Sequence, residues 1–320
     1  MNQPLMTIGL PIVKTEFVLE SIQSALGQTY RNFEVVILNN AKTASKRDEI
    51  RQIVSDFSDD RITYYENEKQ LPIVENWNKV LSYANGEYFV LLGDDDVMEP
   101  NYLEAFSVLI GKYPDLDVYH CRSYIINEKS EKIDLTPSWP EYETVYDNML
   151  HRIRGRRLQY ISDFVYRTRA LSQAGGFYNL PQAWGSDDIT SYIACGDKGI
   201  AHTNIPVFNC RTSPLSLSSS GNIKLKMEAI LQQGRWLEDF LKKQPQKHDD
   251  LILWINLKAV LKKYIQKKKT TTISRSLNQK FLHHLFFWIA RKKYYKLKII
   301  EILYSIIEYF KSRITKREYQ

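Results

Sequence analysis

Cysteine is scarce in this chain. Cys121, Cys195 and Cys210 are scattered, with no Cys-x-x-Cys pair and no Cys/His cluster at zinc spacing. That excludes a disulfide framework and fits a reducing compartment. No uninterrupted apolar run approaches the ~18 residues that suggest a membrane span. The first ten residues lack the charged start and long apolar core of a secretory signal, so the expected location is the cytoplasm. No Gly-x-Gly-x-x-Gly follows the first apolar run, which disfavours a dinucleotide-binding dehydrogenase. The stretch Pro11-Ile12-Val13-Lys14-Thr15 contains no glycine. A nucleotidyltransferase would carry a Gly-rich loop there to hold a triphosphate, so that reading is disfavoured too.

What the chain does have is an ordinary globular composition, 43% hydrophobic and 25% charged over 320 residues. This suffices for one large domain with an appendage, or for two domains. The net charge of +7 hides a division. Residues 222–320 hold 23 Lys/Arg against 8 Asp/Glu, whereas residues 1–221 hold 21 against 29. The expected parts are therefore 1–221 and 222–320, with different partners. An acidic front part suits a metal-dependent site. The basic part suits an anionic surface, lipid rather than nucleic acid, because the acidic front would oppose phosphate and no nucleic-acid motif is present.

Apolar runs at 6–10, 33–38, 62–65, 88–92, 117–126 and 200–210 read as strands, the first ended by Pro11. Amphipathic stretches at 16–26, 49–57, 74–84 and 188–195 read as helices, the last capped by Ser186 or Asp187. Their alternation predicts an α/β fold with a mainly parallel sheet, and ligands then bind beyond the carboxyl ends of its strands. Residues 129–144 form a polar excursion, and the Ser-rich 212–221 a candidate lid. Beyond 223 come Lys-rich helices, one at 251–265 followed by a break at 267–272. Between 281 and 314 an apolar and aromatic stripe runs through Leu285, Ile289, Ile302, Ile306 and Phe310. It suits simple packing, and with Phe286, Trp288 and many lysines it also suits the interfacial layer of an anionic membrane.

The fourth strand ends abruptly in Asp94-Asp95-Asp96. Like charges at a strand end repel one another, a cost that a hard cation with oxygen ligands reverses. The plain alternative is a solvated acidic turn before the helix that begins near Pro100. Asn39-Asn40, at the end of the second strand, could share a crevice with the triplet.

Four segments carry a family resemblance spread over roughly 1–215. They are Ser21 to Glu34 (the first helix with the turn Gln28-Thr29-Tyr30-Arg31-Asn32-Phe33-Glu34 after it), the stretch from Asn78 to Asp96, Gly175-Gly176-Phe177, and Ser186-Asp187-Asp188. Together they resemble family 2 glycosyltransferases of the GT-A fold, nucleotide-sugar enzymes typical of bacterial surface-polysaccharide synthesis such as capsule, O-antigen or exopolysaccharide. The resemblance implies an inverting transfer from a nucleotide-diphosphate sugar, a UDP-sugar foremost, to a glycan or lipid-linked acceptor, with Mn²⁺ or Mg²⁺ on the diphosphate. It implies Asp96 as metal ligand, Asp94 on ribose or a metal-bound water, and Asp95 in either place. Asp188 would be the general base, with Asp187 the alternative in adjacent register. Pro11 would open a loop contacting the base, and Asn39-Asn40 stand where an acidic residue is usual, which loosens the case for uridine. Lys79 lies near the site, and Trp77 replaces a basic residue and reads as core. Arg211 would touch the diphosphate or else form a surface salt bridge. A non-catalytic scaffold would be marked by a missing carboxylate, and none is missing.

Overall fold

A computed structural model of the chain describes residues 3–213 and 221–318. The Ser-rich segment read as a lid thus falls, but for its ends, outside the described residues. By its internal contacts the chain divides into two units. One comprises Met1–Asn179 with Ser186–Ser220, the other Leu180–Gly185 with Gly221–Gln320.

The first unit is built on a ten-stranded sheet in the order β3 (Ile62–Glu66), β2 (Phe33–Asn39), β1 (Met6–Ile12), β4 (Tyr88–Leu91), β9 (Phe164–Arg167), β6 (Val118–Ile126), β10 (Ile200–Arg211), β5 (Val97–Met98), with β7 (Lys132–Leu135) on β6 and β8 (Tyr142–Glu143) on β10. β1 (Met6–Ile12) is buried along its whole length, as expected of a continuous apolar strand covered on both faces. It pairs in parallel with β2 (Phe33–Asn39) and β4 (Tyr88–Leu91), and β3 (Ile62–Glu66) lies parallel outside β2. β1 does not stop at Pro11. Gly9 gives its carbonyl to the amide of Leu92, where the pairing with β4 ends. Two residues on, Pro11 faces the same side, so its missing N–H removes no ladder bond. Helices α1 (Val18–Leu26), α2 (Ala44–Ser55), α3 (Ile73–Ser82) and α4 (Tyr102–Lys112) cross between strands. α2 starts earlier than its apolar pattern suggests because the Thr43 hydroxyl caps it, accepting from the Lys46 amide.

The second half of the sheet departs from the expected parallel order. β6 (Val118–Ile126) and β10 (Ile200–Arg211) are parallel to each other. Between β4 and β6, however, stands β9 (Phe164–Arg167), antiparallel to both. The sheet is therefore mixed, with its long pairings parallel and its short ones antiparallel. β9 has four residues, too few to show a period-2 pattern. β5 (Val97–Met98), β7 (Lys132–Leu135) and β8 (Tyr142–Glu143) are short antiparallel additions, the last two within the polar excursion. Helices α5 (Val145–Ile153), α6 (Thr168–Gln173) and α7 (Ser186–Cys195) complete this unit. Its core gathers Ile8, Leu10, Val35, Val90, Phe106 and Tyr119.

The second unit consists of α8 (Ile223–Phe240), α9 (His248–Leu277), α10 (Phe281–Ala290) and α11 (Ile299–Glu318) with the turn at 180–185. Met227, Ile273, Trp288, Tyr295 and Ile302 form its core. The break predicted at 267–272 does not exist; α9 runs straight through. Lysine is a good helix former and no Gly or Pro intervenes. Lys269 and Thr272 are buried, and the Lys269 ammonium donates to the Lys296 carbonyl at 3.0 Å. The predicted stripe at 281–314 is instead divided into α10 and α11, with Lys296 at φ 49° in the connection. In the 180–185 turn, Gln182 and Ala183 also take positive φ. Trp184 there lies 4.5 Å under the Lys226 ammonium. At Gly185, φ is +91° and a Cβ would stand 2.7 Å from Gln233 Nε2, so only glycine fits. No helix among the described residues is long and apolar enough to cross a membrane.

Candidate active site

β4 drives a wholly buried apolar run to the carboxyl edge of the sheet and turns there at Gly93. A Cβ at Gly93 would come 2.7 Å from Asp96 Oδ2, so the turn packs directly on its own acidic residue. The three aspartates that follow have different surroundings. Asp94 Oδ2 accepts from the amides of Val13 at 2.8 Å and Lys14 at 2.9 Å, pinning the loop after β1. Asp96 is buried; its Oδ1 accepts from the Arg211 amide at 2.9 Å and its Oδ2 from the Ser162 hydroxyl at 3.2 Å. Asp95 accepts no hydrogen bond from another described side chain. Its nearest cation is the Lys14 ammonium at 4.0 Å, and a fifth of its side chain is exposed (20%).

Crowding opposes ionisation in all three. Burial, followed by the charge of Asp95, pushes Asp94 up to about 6. The same causes hold Asp96 well above the ordinary carboxylate value. Burial raises Asp95 as well, against the pull of Lys14. A cation relieves such a cluster, and its oxygen donors are those that Mg²⁺ and Mn²⁺ prefer. Among the described residues no group of three or more His, Cys, Asp or Glu is arranged to hold a metal. The donor set therefore fits a cation that takes one or two carboxylates and draws its remaining ligands from phosphate and water.

Arg211 proves to be neither a surface ion pair nor an open diphosphate contact. Its side chain is wholly buried (0% exposed). Nε donates to the Asp95 carbonyl at 2.7 Å, Nη1 to the Asn127 carbonyl at 2.9 Å and Ser130 at 3.0 Å, and Nη2 to Glu20. The guanidinium also lies 4.3 Å from the Phe17 ring centroid. It fastens the acidic turn to α1 and to the end of β6.

The second acidic motif reaches the first through a segment the sequence did not flag. Ser162 donates to Asp96 and accepts from the Gly93 amide at 3.1 Å. Three residues earlier, Gln159 donates to Asp188 Oδ1 at 2.8 Å. Arg152 Nε donates to the same oxygen at 2.8 Å, and its Nη1 to the Arg157 carbonyl at 3.1 Å. Asp188 is buried and Asp187 half-buried, both inside the first turn of α7 rather than at its cap, where the helix dipole favours negative charge. The signal for residues 159–163 was a Gln, a Ser and an Asp inside a run of aromatic and aliphatic residues.

Behind this segment lies a buried imidazole pair. His120 Nδ1 stands 2.9 Å from His202 Nδ1, and Trp139 stacks on His120 with centroids 3.8 Å apart. His120 Nε2 is 3.1 Å from Asp163 Oδ1 but badly aligned for a hydrogen bond. Burial holds both rings neutral, His202 pushed down to about 2.

The remaining expected residues are drawn into the fold. Asn39 donates to the Arg47 carbonyl at 3.0 Å and the Tyr64 hydroxyl at 2.8 Å, and accepts from the Ala41 amide at 3.1 Å. Asn40 pairs with both backbone groups of Leu71, at 3.0 and 2.8 Å. Neither side chain faces outward to read a base; both are buried. Lys79 donates to Asn67 Oδ1 at 2.7 Å, and Pro11 is buried within β1. Trp77, half-buried, packs edge-on to Phe177 at 5.6 Å. The Gly-Gly-Phe motif has a clear cause. Gly176 takes φ +78°, a Cβ there would overlap the Asn78 side-chain oxygen, and Asn78 accepts from the Phe177 amide at 2.7 Å.

Residues 12–173, half of the chain, match the family described as Glycosyl transferase family 2. The chain belongs to that family. WcaA of Escherichia coli (strain K12), named for colanic acid biosynthesis, is 32% identical over 106 residues, covering 33% of this chain and 37% of that protein. EpsE of Bacillus subtilis (strain 168), named as a glycosyltransferase, is 28% identical over 140 residues, covering 43% and 50%. The family 2 chain thus aligns with only 37% to 50% of these relatives' own lengths. Among solved structures, S. aureus TarS 1-349 in complex with UDP-GlcNAc superposes with a TM-score of 0.58 at 12% identity, over 92% of this chain and 93% of that one. The mannosyltransferase PcManGT of Pyrobaculum calidifontis, in complex with GDP-Man and Mn²⁺, gives 0.58 at 14% identity, over 97% and 88%. At that identity the likeness establishes the GT-A fold.

Proposed function

We propose that this family 2 chain transfers a sugar, with inversion, from a nucleotide-diphosphate donor to a hydroxyl of a glycan or lipid-linked acceptor in bacterial surface-polysaccharide synthesis. One observation carries the reading: an acidic turn with two half-buried carboxylates, Asp94 and Asp95, is joined through residues 159–163 to a further, oriented carboxylate. Solved relatives in complex with UDP-GlcNAc and with GDP-Man support a nucleotide-sugar donor without choosing the nucleotide. WcaA, named for colanic acid biosynthesis, supports the polysaccharide setting.

Within the triplet the roles shift. Asp96, with both oxygens taken by Arg211 and Ser162, braces the turn, and Asp94 holds the loop after β1. Asp95, half-buried and with Lys14 4.0 Å away, would hold Mn²⁺ or Mg²⁺, with the half-buried Asp94 beside it. Such a cation would supply neutralisation of charge on the departing diphosphate. Lys14 adds positive charge at the same place.

Asp188 acts as the general base. Gln159 and Arg152 fix its orientation by donating to one oxygen. It takes the proton of the acceptor hydroxyl as that oxygen bonds to the anomeric carbon and the bond to the diphosphate breaks. Such a base contributes about 10²–10⁴-fold in rate.

The test is a panel of nucleotide sugars with Mn²⁺, read by thermal stabilisation and then by transfer. A true donor at ~100 times its Kd stabilises by about 2.7 kcal/mol. Asp95→Asn should lose Mn²⁺-dependent stabilisation, whereas Asp188→Asn should keep it and lose transfer by at least ~10²-fold. Near-normal transfer by Asp188→Asn, with loss in Asp187→Asn, would move the base to Asp187.

A further inference from the structure

The helical unit presents an apolar face to solvent where a surface helix ordinarily turns charge outward. On α10, Leu282, Phe286 and Ile289 recur at intervals of four and three, hence on one side, and are exposed, Phe286 by 68%. Their helix buries Trp288 on its other side. On α11, Ile300, Leu303, Ile307, Phe310 and Ile314 recur at three and four and are also exposed. That helix already buries Ile302 and Tyr309 inward, so it is apolar on two faces. An apolar display of this size marks a surface that something covers.

Charge says what covers it. From Lys280 to Ile314 every exposed charged side chain is Lys or Arg, including Lys293, Lys296 and Lys298 in the connection and Lys311 and Arg313 on α11. Glu301 is buried, accepting from the Lys298 amide at 2.7 Å, and Glu308 is half-buried. A second copy would bring the same positive charge against itself. The outer repeat on α11 also covers only about two heptads, short of the three to four that specify a coiled coil. Spanning is excluded for both helices: α10 has 10 residues, about 15 Å of helix against ~30 Å of hydrocarbon, and α11, 20 residues long, carries too many charged side chains to be apolar enough.

We propose that α10 and α11 lie in the headgroup layer of an anionic membrane, with Phe286 and Leu303 among the inserted side chains and the neighbouring lysines on lipid phosphates. Basic amphipathic helices with aromatic and aliphatic insertions bind in this way, and more strongly as anionic lipid increases. The docking face uses none of the residues of the acidic site and does not depend on the chemistry assigned there.

The experiment is co-sedimentation of the full chain with phosphatidylcholine vesicles, with and without phosphatidylglycerol. Wild type should sediment with the anionic vesicles and leave them as salt is raised. Phe286→Ser with Leu303→Ser should weaken binding about tenfold, as should Lys293→Glu with Lys296→Glu. All four side chains are exposed, so circular dichroism should be unchanged. Asp188→Asn should sediment like wild type, which separates this result from the transferase reading. Equal binding to neutral vesicles, or none to either, overturns the proposal. So does a stable wild-type dimer in sedimentation velocity that Leu303→Ser dissociates, because a second copy would then own the face.

Discussion

Arg211 shows how far a residue type can mislead about its task. A guanidinium at the end of a strand beside acidic residues invites a phosphate, yet here each of its three nitrogens donates within the protein. Arg211→Met should therefore lower stability by at least about 2 kcal/mol, seen as a shifted urea midpoint, because it strands buried partners. A mere diphosphate contact would raise KM and leave the midpoint in place. Gly176→Ala should cost about 2 kcal/mol or more, since it meets both positive φ and Asn78. The imidazole pair makes the fold acid-sensitive. His202 is depressed to about 2 in the folded state, so it contributes stability above its unfolded value of about 6.5, which is lost as pH falls below that. At pH 5 the loss is about 2 kcal/mol, and His202→Asn should show a smaller drop in Tm between pH 7.5 and pH 5. The acidic residues were legible because like charges in sequence advertise themselves. Gln159, Ser162 and Arg152 were not, because neutral polar side chains and one arginine among many acquire meaning only from what they touch.

Legibility at the scale of elements followed burial. β1, β2 and β4 are continuous apolar runs, since parallel strands covered on both faces need them. β9 escaped because four residues carry no period, and with it went the antiparallel insertion that makes the sheet mixed. Among helices the opposite error occurred: a lysine- and threonine-rich stretch read as a break is the middle of α9. Thr271→Pro tests this directly. In a helix interior it should cost about 3 kcal/mol or more and reduce the helical circular dichroism signal. In a loop it would be close to neutral.

For the molecule as a whole, the contact division falls at 220/221, within a residue of the charge division, except for one inner segment. Leu180–Gly185 belongs with the helices, through Trp184 beneath Lys226 and Gly185 against Gln233. A chain ending at 221 should therefore lose transfer and unfold over a broadened urea range, although Asp95, Asp187 and Asp188 are all still present. An unchanged, sharp transition in that shortened chain would show the turn to be self-sufficient.

That six-residue turn also limits how the chain could be recombined. Swapping in the C-terminal helices of another family 2 protein at a single junction would leave a glycine shaped for Gln233 and a tryptophan shaped for Lys226 facing strangers, one residue before Ser186-Asp187-Asp188. A working chimera would need two grafts, and the smaller one, inside the apparent catalytic half, is the one that a boundary drawn from charge alone would leave behind.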